Sequence, residues 1–152
     1  NFLFRISTAE VELEESDFTS LPDYNRLIAS VSGTMRLAHG ANGSEKLVLP
    51  RSTVYAFDGG IQTHCVGKAR DLNLMLRKGA AEGELVFVDS GTELNLEPAA
   101  NETMLLFELE SGNAALCAGG NARLRCTANG QCALFTVRLV GEAIPDSDNR
   151  NG

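Results

Sequence analysis

YAFDGGIQTHCVGKARDLNLMLRKG, residues Tyr55 to Gly79, carries the pattern that decides the fold. It opens as a strand over Thr53–Phe57 and breaks at Asp58-Gly59-Gly60, where glycine takes positive φ without steric cost. A second run, Ile61 to Val66, stops at Gly67, and the stretch ends in strict alternation. Leu72, Leu74 and Leu76 point to one side while Asp71, Asn73 and Arg77 point to the other, the period of two that marks a half-buried strand. Two readings of the polar row stand: a site built on one strand face, or the solvent-facing row of an antiparallel sheet.

Outward from this stretch the same texture continues. Short β-rich runs recur with Gly, Asn, Asp or Pro between them, and a 3.6-residue period is scarce, which is the signature of an all-β sandwich or barrel. The runs fall near Phe2–Ser7, Glu10–Leu13, Arg26–Val31, Thr34–Ala38, Lys46–Leu49, Thr53–Phe57, Gln62–Val66, Asp71–Arg77, Glu84–Val88, Glu93–Glu97, Thr103–Leu109, Ala114–Cys117, Ala122–Cys126 and Cys132–Val140. Ser16 to Asn25, with Pro22-Asp23 inside it, reads as turn or short helix. The polar tail, residues 145–152, is expected to fray. Because the chain starts at Asn1 inside a strand, further sequence is expected upstream.

An internal similarity organises these strands. Ile28–Ala38 laid over Phe107–Cys117 gives strand, Ser-Gly turn, strand in both. The overlay continues with Lys46–Pro50 over Arg123–Thr127 and Phe57 over Phe135. Two copies of one hairpin-rich unit predict a duplicated barrel. The unit resembles half of a cupin, so the expected architecture is all-β: a single cupin-like domain over 1–152, a duplicated jelly-roll or bicupin, with half-barrels at about 1–80 and 81–141. The two half-barrels are expected to enclose a cavity for a small ligand.

Composition bounds the function. At 152 residues, 43% hydrophobic and 22% charged, the chain is ordinary for one soluble domain. There are 13 Lys+Arg against 20 Asp+Glu, a net charge of -7, and the basic residues are scattered, which argues against nucleic acid and anionic membranes. Glu10, Glu12, Glu14 and Glu15 read as a solvated face or loop. No run approaches the roughly 20 apolar residues of a membrane span, and no leader is visible, so a cytoplasmic location is expected. Cys65, Cys117, Cys126 and Cys132 show no Cys-x-x-Cys spacing, and three of them sit in apolar strand runs. A Cys126–Cys132 bridge across a turn is an alternative to four free thiols.

The chemistry-bearing residues are few. His39 and His64 stand alone, His39 reading as a loop residue beside Gly40 and His64 as facing water, so neither a metal nor another cofactor is expected. No nucleophile elbow and no phosphate loop is present. What remains is Arg5, Arg26, Asp58, Asp71, Asn73 and Arg77, in which a buried arginine fork suits a carboxylate and Asp or Asn orients it. A structural Arg–Asp pair tying strands together is the competing reading.

Arg5-Ile6-Ser7 with Ala9 and Val11, then Phe18, Ser20, Leu21, Pro22 and Arg26, the Gly33 turn, Ala56–Gly59 and Arg70–Gly79 resemble the HutD/Ves family of bacterial cupin-like proteins. The resemblance runs from Phe4 to Gly79. It implies a metal-free bicupin with an accessory or regulatory role in histidine utilisation, binding a small carboxylate such as formylglutamate or urocanate. It places the family's arginine on Arg26, its aromatic-Arg strand on Phe4-Arg5 and its Asp-x-Asn pair on Asp71 and Asn73. Phe4 stands where tryptophan is usual, Leu21-Pro22-Asp23 replaces the commoner Phe-Pro-Gly, and the family's early segment lies before Asn1.

The expected site is therefore Arg26 as anion anchor, Asp71 and Asn73 orienting it, Arg5 and Phe57 lining the mouth, and Asp58 as a further ligand-binding residue. Two alternatives are an isomerase or hydrolase using Asp71 or Asp58 as general base, and a β-sheet module that binds protein through an apolar patch. Assembly as a homodimer is left open.

Overall fold

The computed structural model describes residues 1–12 and 14–141. Leu13 and the tail 145–152 lie outside the described residues. The strands are β1 (Phe4–Val11), β2 (Glu15–Asp17), β3 (Tyr24–Ser32), β4 (Met35–His39), β5 (Glu45–Leu49), β6 (Val54–Asp58) and β7 (Thr63–Val66). They continue as β8 (Ala69–Arg77), β9 (Ala81–Val88), β10 (Glu93–Leu96), β11 (Glu102–Glu108), β12 (Ala114–Ala118), β13 (Leu124–Thr127) and β14 (Cys132–Leu139). Among the described residues there is no helix, and so none long and apolar enough to cross a membrane.

Four sheets result: A in the order β1-β8-β3-β6, B in the order β2-β7-β4-β5, C in the order β12-β11-β14-β9, and the two-stranded D, β10-β13. Sheets A and B come from β1 to β8, sheets C and D from β9 to β14. The order of the first eight strands is that of two interleaved Greek keys, a jelly roll. In the second set the first, last and third strands are again neighbours in sheet C, and the second and next-to-last again pair in sheet D. Among the described residues the second set has no counterpart of the β4–β5 hairpin.

The cores show how the sheets stack. Ile28 and Phe57 of sheet A pack with Met35, Leu37, Leu49 and Cys65 of sheet B. The other face of sheet A, with Leu72, Leu74 and Leu76, packs on Leu85, Phe135 and Val137 of sheet C. Beyond that, Leu106 and Cys132 of sheet C pack with Leu96 of sheet D. The layers therefore run B, A, C, D, and sheet A is covered on both faces.

Two glycines fix where sheet A folds onto sheet B. Gly33 (φ 76°) follows β3 and Gly67 (φ 118°) follows β7. A Cβ on Gly33 would stand 2.5 Å from the Lys68 carbonyl oxygen, and one on Gly67 would stand 2.5 Å from that of Thr34. The outgoing and returning crossovers thus touch backbone to backbone, which only glycine permits.

Several expectations are corrected. Phe2–Ser7 and Glu10–Leu13 are not separate strands: β1 runs unbroken to Val11 along β8. A strand, β2, opens the segment expected to be turn or helix, because Ser16 is half-buried against sheet A while Glu15 and Asp17 face outward. The Asp58-Gly59-Gly60 break does not use positive φ; Gly59 is needed because a Cβ there would lie 2.7 Å from the carbonyl oxygens of Leu21 and Tyr24. The repeat overlay also fails, since β3 and β4 lie in different sheets whereas β11 and β12 are paired neighbours. Glycine turns of similar sequence join strands in both places, but one turns a corner and the other closes a hairpin.

Candidate functional site

Register places the polar residues of β8. Met75 lies opposite Arg26, Asn73 opposite Ile28, and Asp71 opposite Ser30. Phe57 of β6 continues the row beside Arg26, and Tyr55 lies beside Ile28. Directly opposed residues share a face, and Ile28 belongs to the core between sheets A and B. The polar row therefore points into the sandwich, not to solvent: Asp71 is 3% exposed, Asn73 5% and Arg26 5%. The solvent-facing reading fails because a second sheet covers the face that alternation alone would leave wet.

Arg26 is held without a counter-ion. Its Nη2 donates to Asn73 Oδ1 at 2.9 Å, its Nη1 reaches the Thr19 carbonyl oxygen at 3.5 Å, and its buried Nε has no partner. The rings of Phe18 and Phe57 lie 5.0 and 5.4 Å from the guanidinium carbon. Among the described residues no carboxylate stands within 4 Å of it. Asp71 is reached only through Asn73, whose Nδ2 donates to Asp71 Oδ2 at 3.3 Å, while the Ala9 backbone N–H donates to Asp71 Oδ1 at 3.2 Å. The direct Arg–Asp strand tie is thus absent.

Burial dominates the electrostatics. It pulls the Arg26 guanidinium below its ordinary value, against the opposing charge of Asp71. It lifts the Asp71 carboxyl above the usual aspartate range, against hydrogen bonds from Ala9 and Asn73 and the charge of Arg26. The Cys65 thiol across the interface is pushed up to about 11, chiefly by burial and then by Asp71, so it is an inert core residue.

Sequence reasoning missed the other half of the cluster. His39 is a buried residue, 4% exposed, rather than a solvated loop residue. Its ring lies 5.2 Å from that of Phe57, which in turn stacks on Tyr55 at 5.5 Å. The Thr63 hydroxyl gives its proton to the Ile61 carbonyl at 3.1 Å, so it accepts from His39 Nδ1–H at 2.9 Å. Nε2 then carries the lone pair, and the Tyr55 hydroxyl donates to it at 2.7 Å. This leaves the lone pairs of Tyr55 Oη as acceptors. The alternation in Met35-Arg36-Leu37-Ala38-His39 was the available signal, since it puts His39 on the face of Met35 and Leu37.

The remaining expected residues separate. Arg5 is exposed on edge strand β1, two strands from Arg26 across Met75, about 10 Å away by strand spacing. Asp58 is exposed at the end of β6, accepting from Gly60 N–H at 2.8 Å and from Lys78 Nζ at 2.8 Å. Its carboxyl is held below the usual range by the Lys78 and Gly60 hydrogen bonds. Arg77, half-buried, lies opposite Tyr24. His64 is on the outer face of sheet B, bonded to Asp17 at 2.8 Å, beside a recess of about 700 Å³. Arg26 is not between the two halves as expected, because the surface where they meet is the apolar A/C core. All four cysteines are free. No group of three or more His, Cys, Asp or Glu side chains able to hold a metal occurs among the described residues.

Comparison with known proteins places the chain. The family model described as HutD matches residues 1–138. The structure of HutD from Pseudomonas fluorescens SBW25, solved under a formate condition, is 24% identical with a TM-score of 0.73 over 92% of this chain and 81% of that one. A conserved protein of unknown function from Pseudomonas aeruginosa PAO1 is 26% identical with a TM-score of 0.72, over 93% and 84%. AerE from Microcystis aeruginosa shares the fold at 8% identity, with a TM-score of 0.52 over 90% and 87%. No curated protein matches.

Proposed function

This chain belongs to the HutD family, and on that premise we propose that it is a cytoplasmic accessory protein of histidine utilisation that binds a small carboxylate without a metal. The observation that carries the proposal is Arg26: a buried guanidinium with a free Nε and no carboxylate within reach. A buried charge without a partner is costly, and a planar fork is complementary to a carboxylate. A ligand carboxylate meeting Nε would supply the missing counter-ion, while Asn73, braced by Asp71, fixes the fork from the other side. Phe18 and Phe57 provide the apolar walls.

The Tyr55–His39 pair extends the reading. An acid whose amide or ring N–H donates to Tyr55 Oη would span Phe57, which suits formylglutamate and urocanate better than formate. In this reading Arg5 attracts the anion from the rim, and Asp58 only holds the turn. The two sets of strands are read as one jelly-roll unit used twice, a bicupin whose second copy lacks the β4–β5 hairpin.

Calorimetric titration with formate, formylglutamate and urocanate tests the proposal. Hydrogen bonds to charged groups contribute about 1.5–3 kcal/mol, so Arg26→Gln is expected to weaken binding about 10- to 100-fold, with a cooperative melt retained. Failure of every carboxylate to bind, or an unchanged affinity in Arg26→Gln, would remove Arg26 from the role.

A further inference from the structure

Sheet edges expose unpaired backbone, and proteins usually guard them with charge. The edge strands are β1 and β6 in sheet A, β2 and β5 in sheet B, β12 and β9 in sheet C, and both strands of sheet D. Each carries at least one Asp, Glu, Lys or Arg except β12, which reads Ala114-Ala115-Leu116-Cys117-Ala118 and is bounded by Asn113 and Gly119. Ala114, Leu116 and Ala118 are exposed, and Leu116, at 65%, is the barest of the large apolar side chains among the described residues.

We propose that β12 pairs with β12 of a second copy of this chain, antiparallel about a twofold axis through Leu116. The strand is its own complement in that register. Leu116 meets Leu116 of the partner subunit, Ala114 meets Ala118 of the partner subunit, and Ala115 meets Cys117 of the partner subunit. Residues opposed in this way lie on the same face, as an antiparallel ladder requires. Every side chain beside the axis is small, so nothing obstructs the approach. Leu116 also lies opposite Leu105, which lines an apolar recess with Ile6, Leu72, Phe107 and Phe135, so the paired leucines continue a surface that is already apolar. The strand offers no side-chain charge to a partner, so an identical uncharged strand pairs with its free backbone without leaving a charge unmatched.

Two chains of net charge -7 repel each other through an interface with no charge of its own. Salt screens that repulsion, so the dimer tightens as ionic strength rises.

Sedimentation equilibrium on the full chain tests the proposal. The expected result is a dimer whose dissociation constant falls with added salt and rises at least tenfold in Leu116→Lys, with the thermal melt unchanged at concentrations low enough that both chains are monomeric, because the side chain is exposed in the monomer. Leu116→Cys is expected to form a disulfide-linked dimer on oxidation that the wild-type chain does not. A chain that is monomeric at every concentration, or a dimer that Leu116→Lys leaves as tight and Leu116→Cys does not cross-link, would overturn it.

Discussion

The interior between sheets A and B and the interior between sheets C and D occupy corresponding layers and differ in content. The first holds Arg26, Asn73, Asp71, His39 and Thr63 among its buried groups. The second is lined by Val88, Leu96, Leu106, Cys117, Ala128 and Cys132. On the third strand of each half, Arg26 and Ile28 face sheet B, whereas Met104 and Leu106 face sheet D. The four-stranded sheet B with its β4–β5 hairpin brings His39 over Phe57, and the two-stranded sheet D has no such hairpin. The buried polar cluster thus goes with the four-stranded cover, and the all-apolar core with the two-stranded one.

The contrast can be broken at its joint. Phe135 is fully buried in the A/C core that unites the halves. Phe135→Ala is expected to cost about 3–5 kcal/mol in urea unfolding, with a single transition. Two separate transitions would show that the halves stand alone.

The next largest effect concerns whether the polar cluster is functional or structural. Replacing both members of a buried polar pair by apolar groups of similar shape is often neutral or stabilising by about 1–4 kcal/mol. Arg26→Met/Asp71→Leu/Asn73→Leu, which removes the buried network whole and makes the first interior resemble the second, is expected to keep or raise the melting temperature. A marked loss of stability would make the cluster structural.

A smaller effect is the pH dependence. Burial holds the native pKa of Asp71 above the ordinary 3.8, so the native state binds that proton more tightly than the unfolded chain. Its favourable contribution is complete below 3.8 and is lost as pH rises through the native value. The melting temperature of wild type minus that of Asp71→Asn should fall across that window. A rise would mean that Arg26 holds the carboxylate charged. Asp58 has the opposite sign, its contribution lost on acidification, and Asp58→Asn is expected to leave carboxylate affinity unchanged.

The strands were legible because alternation and turn residues are local properties. Leu72, Leu74 and Leu76 against Asp71 and Asn73 gave the two faces of β8 correctly. Which face meets water was not legible, since that depends on sheet B, whose strands lie elsewhere in the chain. His39 was lost for the same reason: a lone histidine beside glycine resembles a loop until Thr63 and Tyr55 are placed around it. β2 escaped notice because Glu-Ser-Asp offers a single half-buried position. The arginine itself was readable from its motif, but its lack of a counter-ion is a three-dimensional fact.

β8 is hydrogen-bonded along both edges and covered on both faces. Its partners β1 and β3 are made first, and neither pairs with the other. A chain emerging from the ribosome therefore has no complete sheet A until Arg77 has cleared the exit, when one strand zips two waiting ones together. In the finished protein the amides of that strand should be the last to exchange with deuterium, because no partial opening frees them.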